Sequence, residues 1–227
     1  MAALDTSVII VAAGSSSRMN GENKQFADLG GIPVLGRTML AFEHCESIIE
    51  IIVVTKEEDI NTVNDVAQKN GITKLSHVVA GGNTRQESVI CGLNVVLKDT
   101  KMIAVHDGAR PLVSYTLIEK TIADARIFGG ATLGVPVKDT IKVVNDGLII
   151  DTPHRKTLYA VQTPQVFKKK IYFEGINFAK EHDLDFTDDC QLVESIGVKV
   201  YLTVGDYRNI KITTPEDILI ARALLGE

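Results

Sequence analysis

At 227 residues the chain is long enough for one sizeable α/β domain and too short for two domains of typical size. Hydrophobic residues at 45% and charged residues at 23% exclude extensive disorder, and a formal net charge of -5 gives non-specific binding to nucleic acid little support. Cys45, Cys91 and Cys190 are widely separated with no CxxC pair, which argues against a disulfide framework or a zinc site, and no uncharged apolar stretch reaches the roughly 18 residues that a membrane span needs.

The N-terminal segment carries Asp5 and lacks the basic region of a signal peptide, so a cytoplasmic protein is expected, with no nucleic acid and no membrane as partner. Short β-rich runs then alternate with longer helical patterns. Strands are predicted at Ser7 to Ala12, Ile51 to Val54, His77 to Ala80, Ile103 to His106, Thr132 to Val137 and Lys199 to Val204. Between and after them, helices are predicted at Leu35 to His44, Glu57 to Lys69, Arg85 to Leu97, Tyr115 to Ile127, Lys168 to Glu181 and Pro215 to Leu225. The order implies an α/β, Rossmann-like fold: a mainly parallel twisted sheet covered by helices on both faces. One segment breaks the alternation, because Thr140 to Val144 and Leu148 to Asp151 flank the turn Asn145-Asp146-Gly147 and read as a hairpin. A single domain over 1–227 is expected, with a protruding β-arm at about 138–160. So small a hairpin is not stable alone in water, and a two-fold copy of itself is the economical partner.

Chemistry gathers at strand ends. After the first strand comes Ala12-Ala13-Gly14 with three serines, Arg18 and Met19, then Lys24 and Gln25. A small-residue loop there lets backbone N–H groups approach phosphate, and two cations beside it suit a polyphosphate, although the loop could be a plain connection. It is neither a P-loop nor GxGxxG, which removes the NAD-dependent oxidoreductases. Gly81 and Gly82 follow the third strand, with Asn83 beside them and Ser88 in the next helix, either to read a pyrimidine edge or simply to turn the chain, leaving Arg85 a surface residue. Asp107 could hold Mg²⁺ or a hydroxyl, or form a turn. His106 has no partner at ligand spacing and reads as structural; Arg110 could bind phosphate or support its loop. Thr187-Asp188-Asp189 could cap a helix beginning near Cys190. Lys211 lies in a β-like run before the Thr214 cap, and Arg155 on the return from the hairpin could be only a solvated charge.

AAGSSSRM with NKQF, GGNTRQESV, VHDGARP, PVKDT, QTPQVF, TDD and NIKITTPED occur in this order along nearly the whole chain. The set resembles the sugar-phosphate cytidylyltransferases, the methylerythritol phosphate branch more than the ribitol 5-phosphate branch. The resemblance implies an enzyme that joins CTP to 2-C-methyl-D-erythritol 4-phosphate with Mg²⁺ and releases pyrophosphate, a step of non-mevalonate isoprenoid precursor synthesis. It implies catalytic roles for Arg18, Lys24 and Lys211, and nucleotide contacts at Ala12, Ala13, Gly14, Gly81, Gly82, Asn83 and Ser88. It also implies acceptor contacts at Asp107, Thr140, Arg155, Thr163 and Thr187, with Asp107 on the metal. Asn83 stands where many members carry an acidic residue. The same resemblance implies a homodimer with interlocking arms, Arg155 reaching the neighbour's acceptor phosphate. Retention of Arg18, Lys24, Asp107 and Lys211 argues against the alternative of a non-catalytic nucleotide-binding regulator.

Overall fold

A computed structural model of the chain describes residues 4–14 and 23–226. In chain order the elements are β1 (Thr6–Val11), β2 (Asp28–Leu29), β3 (Ile32–Pro33), α1 (Val34–Glu43), β4 (Ile48–Thr55), α2 (Ile60–Lys69), β5 (Leu75–Ala80), α3 (Arg85–Leu93) and β6 (Met102–Asp107). There follow α4 (Tyr115–Phe128), β7 (Gly130–Pro136), β8 (Val143–Asn145), β9 (Leu148–Asp151), β10 (Tyr159–Lys168), α5 (Lys169–Glu181), α6 (Asp189–Glu194), β11 (Tyr201–Val204) and α7 (Pro215–Leu225).

Seven strands form one sheet in the order β11-β7-β10-β6-β1-β4-β5. All adjacent pairs are parallel except those of β10, which runs antiparallel to both β6 and β7. Period-two alternation within β1 divides its side chains between two cores. Val8 and Ile10 pack with Leu35, Met39, Phe42 and Ile118 on one face, while Ile9 packs with Val89, Tyr172 and Ile176 on the other. Helices therefore cover both faces, as the alternation of elements predicts. A smaller cluster joins Leu29, Val34, Ala109, Ile212 and Ala221 at the strand ends.

The structure corrects the sequence reading in three places. β10 has no counterpart among the predicted strands, and it carries Pro164, which a regular central strand disfavours. The strand accommodates it through a register shift between Val161 and Gln165, so Pro164 is spared a ladder position. The third helix ends at Leu93, short of Leu97, whose N–H leaves the helix to donate to buried Glu50 Oε1 at 2.8 Å. Lys211 lies in no strand. Its segment is instead pinned to neighbouring loops by Asn209 and Ile212, both fully buried, and by the Ile212 N–H donating to Ala109 O at 2.8 Å.

The hairpin forms where expected, although its first strand is only Val143–Asn145. Asp146 and Gly147 both adopt positive φ, 47° and 80°, as a two-residue turn of this hand requires. Leu148, Ile149 and Ile150 are 71%, 63% and 63% exposed, so the arm has an apolar surface that this chain does not cover. Among the described residues no helix is long and apolar enough to cross a membrane. Cys45 and Cys190 are buried free thiols and Cys91 is half-buried.

Candidate functional site

The carboxyl ends of β1, β5 and β6 open into a cleft of ≈ 360 Å³. Ala13 and Gly14 line it, whereas Ala12 is turned into the core with its N–H donating to Val54 O at 2.7 Å. Arg18 lies outside the described residues. Lys24 reaches the cleft from a turn in which Phe26 N–H donates to Asn23 O at 3.0 Å. Asn23 is itself held, its Oδ1 accepting from Gln25 N–H at 3.1 Å and its Nδ2 donating to Asp59 at 2.9 Å.

The opposite wall is the start of α3, where Thr84 and Glu87 close a capping box. Glu87 Oε2 accepts from the N–H groups of Asn83 at 2.6 Å and Thr84 at 3.2 Å. Ser88 Oγ donates to Thr84 O at 2.9 Å and accepts from Gly82 N–H at 3.2 Å. Both glycines are sterically required: a Cβ at Gly81 would lie 2.7 Å from Ser88 Oγ, and one at Gly82 would lie 2.4 Å from Glu87 Cβ. Gly82, Asn83 and Ser88 line the cleft, while Gly81 supports them from behind. The Asn83 N–H and the Ser88 hydroxyl are thus committed to shaping the loop.

Asp107, at the end of β6, is the electrostatic centre. Its Oδ2 lies 3.0 Å from Lys211 Nζ and 3.2 Å from Arg110 Nε. Burial would push this carboxyl up, but the cations of Lys211, Arg110 and Arg85 outweigh it and bring it down to about 2. Arg110 also donates to Asn209 O at 2.8 Å, so it ties the loop after β6 to the segment that carries Lys211. His106 beside it is fully buried, and burial holds its pKa down to about 4. Its Nε2 faces Arg110 O at 3.2 Å and its Nδ1 faces Thr163 Oγ1 at 3.0 Å. The neutral ring therefore protonates on Nε2 and accepts at Nδ1 from Thr163, whose oxygen in turn accepts the Asp107 N–H at 3.0 Å. The Thr163 hydroxyl, predicted to contact acceptor, is occupied in holding Asp107.

A second pocket of ≈ 190 Å³ adjoins the first, lined by Thr163, Gln165, Thr187 and Asp188 and sharing Arg85, Asp107 and Lys211 with it. Thr187 faces this pocket, while Asp188 caps α6 by accepting from the Cys190 and Gln191 N–H groups. Thr140 and Arg155 line neither pocket; Arg155 Nη1 donates to Lys138 O at 2.9 Å within the exposed arm. No group of three or more His, Cys, Asp or Glu side chains able to hold a metal occurs among the described residues. Asp107 is one buried carboxylate with two cations on a single oxygen, so it fits a magnesium ion only if substrate phosphates supply most of the ligands.

Sequence reasoning missed three contributors. Arg85, a surface residue in the plain-turn alternative, is paired with Asp189 at 2.6 Å and stands in the wall common to both pockets. Asp189 itself is only 4% exposed. Gln25 lines the nucleotide-sized cleft, and its buried Oε1 has no hydrogen-bond partner among the described residues. Arg85 and Asp189 both sit inside the ordered motifs, but their pairing across 104 positions cannot be read from spacing.

A family model described as 2-C-methyl-D-erythritol 4-phosphate cytidylyltransferase matches residues 6–227. Curated proteins of that name from Caldanaerobacter subterraneus subsp. tengcongensis and Clostridium novyi are similar to the chain. The first is 47% identical over 225 residues, 98% of this chain and 99% of the relative, and the second 46% identical over 220 residues, 96% and 95%. Among solved structures, 4-diphosphocytidyl-2C-methyl-D-erythritol synthase from Anaerococcus prevotii superposes with a TM-score of 0.86 at 33% identity, covering 98% of this chain and 96% of that one. The cytidylyltransferase from Thermus thermophilus gives 0.79 at 29% identity over the full length of both.

Proposed function

The chain belongs to the 2-C-methyl-D-erythritol 4-phosphate cytidylyltransferase family, and from that membership we propose that its two adjoining pockets seat CTP and 2-C-methyl-D-erythritol 4-phosphate side by side. The observation that carries this reading is the sharing of Arg85, Asp107 and Lys211 by both pockets, which brings two phosphorylated ligands to one set of charges. An oxygen of the acceptor phosphate attacks the α-phosphorus of CTP. A new P–O bond forms, the bond to the β-phosphate oxygen breaks, and the electron pair leaves on pyrophosphate. The acceptor monoester, with a second pKa near about 6, is largely dianionic at neutral pH and needs no strong base. Positioning and charge neutralisation are then the work of the protein.

In this division of labour, Arg18, Lys24 and Lys211 neutralise charge on the α-phosphate and leaving group. Ala12, Ala13 and Gly14, with Gly81, Gly82, Asn83 and Ser88, shape the nucleotide cleft; Thr163 and Thr187 wall the acceptor pocket, Thr163 by holding Asp107. Asp107 holds Lys211 and offers one ligand to Mg²⁺, whose contribution when bound is to neutralise the phosphate oxygens. Residues 138–160 form the arm of a single catalytic unit. Its apolar face supports a homodimer, in which Thr140 and Arg155 serve the partner's acceptor pocket. The absence of a membrane-spanning helix among the described residues is consistent with a cytoplasmic enzyme.

The test is pyrophosphate release from CTP with 2-C-methyl-D-erythritol 4-phosphate or ribitol 5-phosphate, and with ATP in place of CTP. Release is expected to be fastest with CTP and the methylerythritol acceptor and to stop in excess chelator. Equal efficiency with ATP rejects the nucleotide assignment; preference for ribitol 5-phosphate rejects the acceptor.

A further inference from the structure

The wall between the two pockets is cross-tied more heavily than packing requires. Asp189 uses both carboxylate oxygens: Oδ2 takes Arg85 Nη2 at 2.6 Å, and Oδ1 takes the fully buried Tyr172 hydroxyl at 2.5 Å. Its backbone N–H donates to Gln165 Oε1 at 3.0 Å, and Gln165 is itself a wall of the second pocket. Around this ion pair, the start of α3 grips the segment before α6 by three further bonds. Thr84 Oγ1 donates to Asp185 Oδ1 at 3.3 Å, Gln86 Nε2 donates to Leu184 O at 3.0 Å, and Gln86 Oε1 accepts from Phe186 N–H at 3.0 Å. One side of the clasp follows directly on Gly82 and Asn83 of the nucleotide cleft; the other leads directly into Thr187 of the acceptor pocket. A ligand that fixes one side therefore restricts the other.

We infer that the Arg85–Asp189 clasp couples the two subsites, with Asp189 and Gln86 acting as positioning residues that make acceptor binding tighter when nucleotide is in place. The inference rests on the assignment of CTP and the methylerythritol acceptor to these pockets. Asp189 touches no substrate in this scheme; it acts through Arg85 and through the start of α6. Gln86 is half-buried and its loss removes two of the cross-ties without opening the core, whereas Tyr172→Phe removes one bond to Asp189 and keeps the ring stacked on Phe167.

The experiment is calorimetric titration of 2-C-methyl-D-erythritol 4-phosphate into the full chain with Mg²⁺, alone and saturated with the unreactive analogue α,β-methylene-CTP. Wild type is expected to bind acceptor about fivefold or more tightly in the loaded state, and by linkage acceptor must tighten the analogue by the same factor. Gln86→Ala and Tyr172→Phe should bring that ratio towards one, while each keeps its melting temperature within a few degrees and its affinity for the analogue alone within about twofold of wild type. Asp189→Asn should do the same with a larger loss of stability. A ratio of one in wild type, or a wild-type ratio retained in Gln86→Ala and Tyr172→Phe, overturns the coupling. Pyrophosphate release by the same preparation separates the two readings: turnover without coupling rejects the clasp alone, and no turnover with CTP and this acceptor rejects the pocket assignment on which the clasp rests.

Discussion

The centre of the site and the arm are built on opposite terms. Asp107 is held from several parts of the chain: by Thr163 from β10, Lys211 from the segment before α7, and Arg110 from its own loop, which also binds Asn209 O. The arm is held mainly by itself. Its two strands pair with each other, Lys142 bonds Thr152, Arg155 bonds Lys138 O, and its apolar side chains face outward. The first region owes its shape to the fold and the second leaves its apolar side chains exposed, so variants in the two should fail in different ways.

The largest difference is expected from Lys24→Ala and Lys211→Ala. Each removes a positioned donor, which lowers kcat by about 10² to 10³ in steady-state pyrophosphate release; by calorimetry melting temperature barely changes in Lys24→Ala, whereas Lys211→Ala also loses stability with its ion pair to buried Asp107. Near-wild-type turnover would remove that lysine from the site. Acid should next separate the regions. The unfolded His106 imidazole takes a proton below its ordinary 6.5, whereas the folded one refuses it until about 4. Its contribution is therefore complete above pH 6.5 and lost as pH falls to 4, roughly 3 kcal/mol in all. Asp107, lowered from 3.8 to about 2, adds a further loss below that window. Urea midpoints of metal-free protein between pH 7 and 4 should drop steeply, less so in His106→Gln; an unchanged slope in that variant assigns the acid lability elsewhere.

Arg155→Ala tests whether the arm supplies a neighbour. Loss of a charge-assisted contact to phosphate should raise the acceptor KM about tenfold and leave the CTP KM alone. Mixing Arg155→Ala with Lys24→Ala subunits should restore activity above either parent, since one site of the mixed dimer has both residues. Demonstrated exchange without recovery would place Arg155 outside the neighbour's site. The smallest effect is expected at the arm's tip: Gly147→Ala, at φ 80°, should cost about 1 kcal/mol of hairpin stability. Sedimentation should register this as a dimer weakened about fivefold, with CTP binding unchanged; a CTP defect would mean that arm and cleft are not separable.

Much of this was legible because periodicity and position are local. The succession of strands and helices, the Thr214 cap with Pro215 at the start of α7 and the hairpin turn each follow from a few neighbouring residues. Asp107 and Lys211 were marked by the order of motifs along the chain. The partners of a buried charge were not legible, because an ion pair such as Arg85 with Asp189 depends on how α3 and α6 meet in space. β10 escaped for a different reason: its bulge takes Pro164 out of the ladder, which a regular strand does not do.

The same strand sets where this protein can vary in length. β10 leaves the arm at Tyr159, bulges past Gln162 and Thr163, and ends at Lys168 beside the start of α5. Inserting or deleting a single residue after the bulge would turn Gln165 away from Asp189 and swap Val166 with Phe167 between the two cores, since each step reverses the side chain's face. The turn at Asp146 and Gly147 carries no such penalty. Across relatives, gaps should therefore collect at the arm's tip and be missing from 165–168, which makes this short stretch a ruler against which the spacing of arm and pocket is kept.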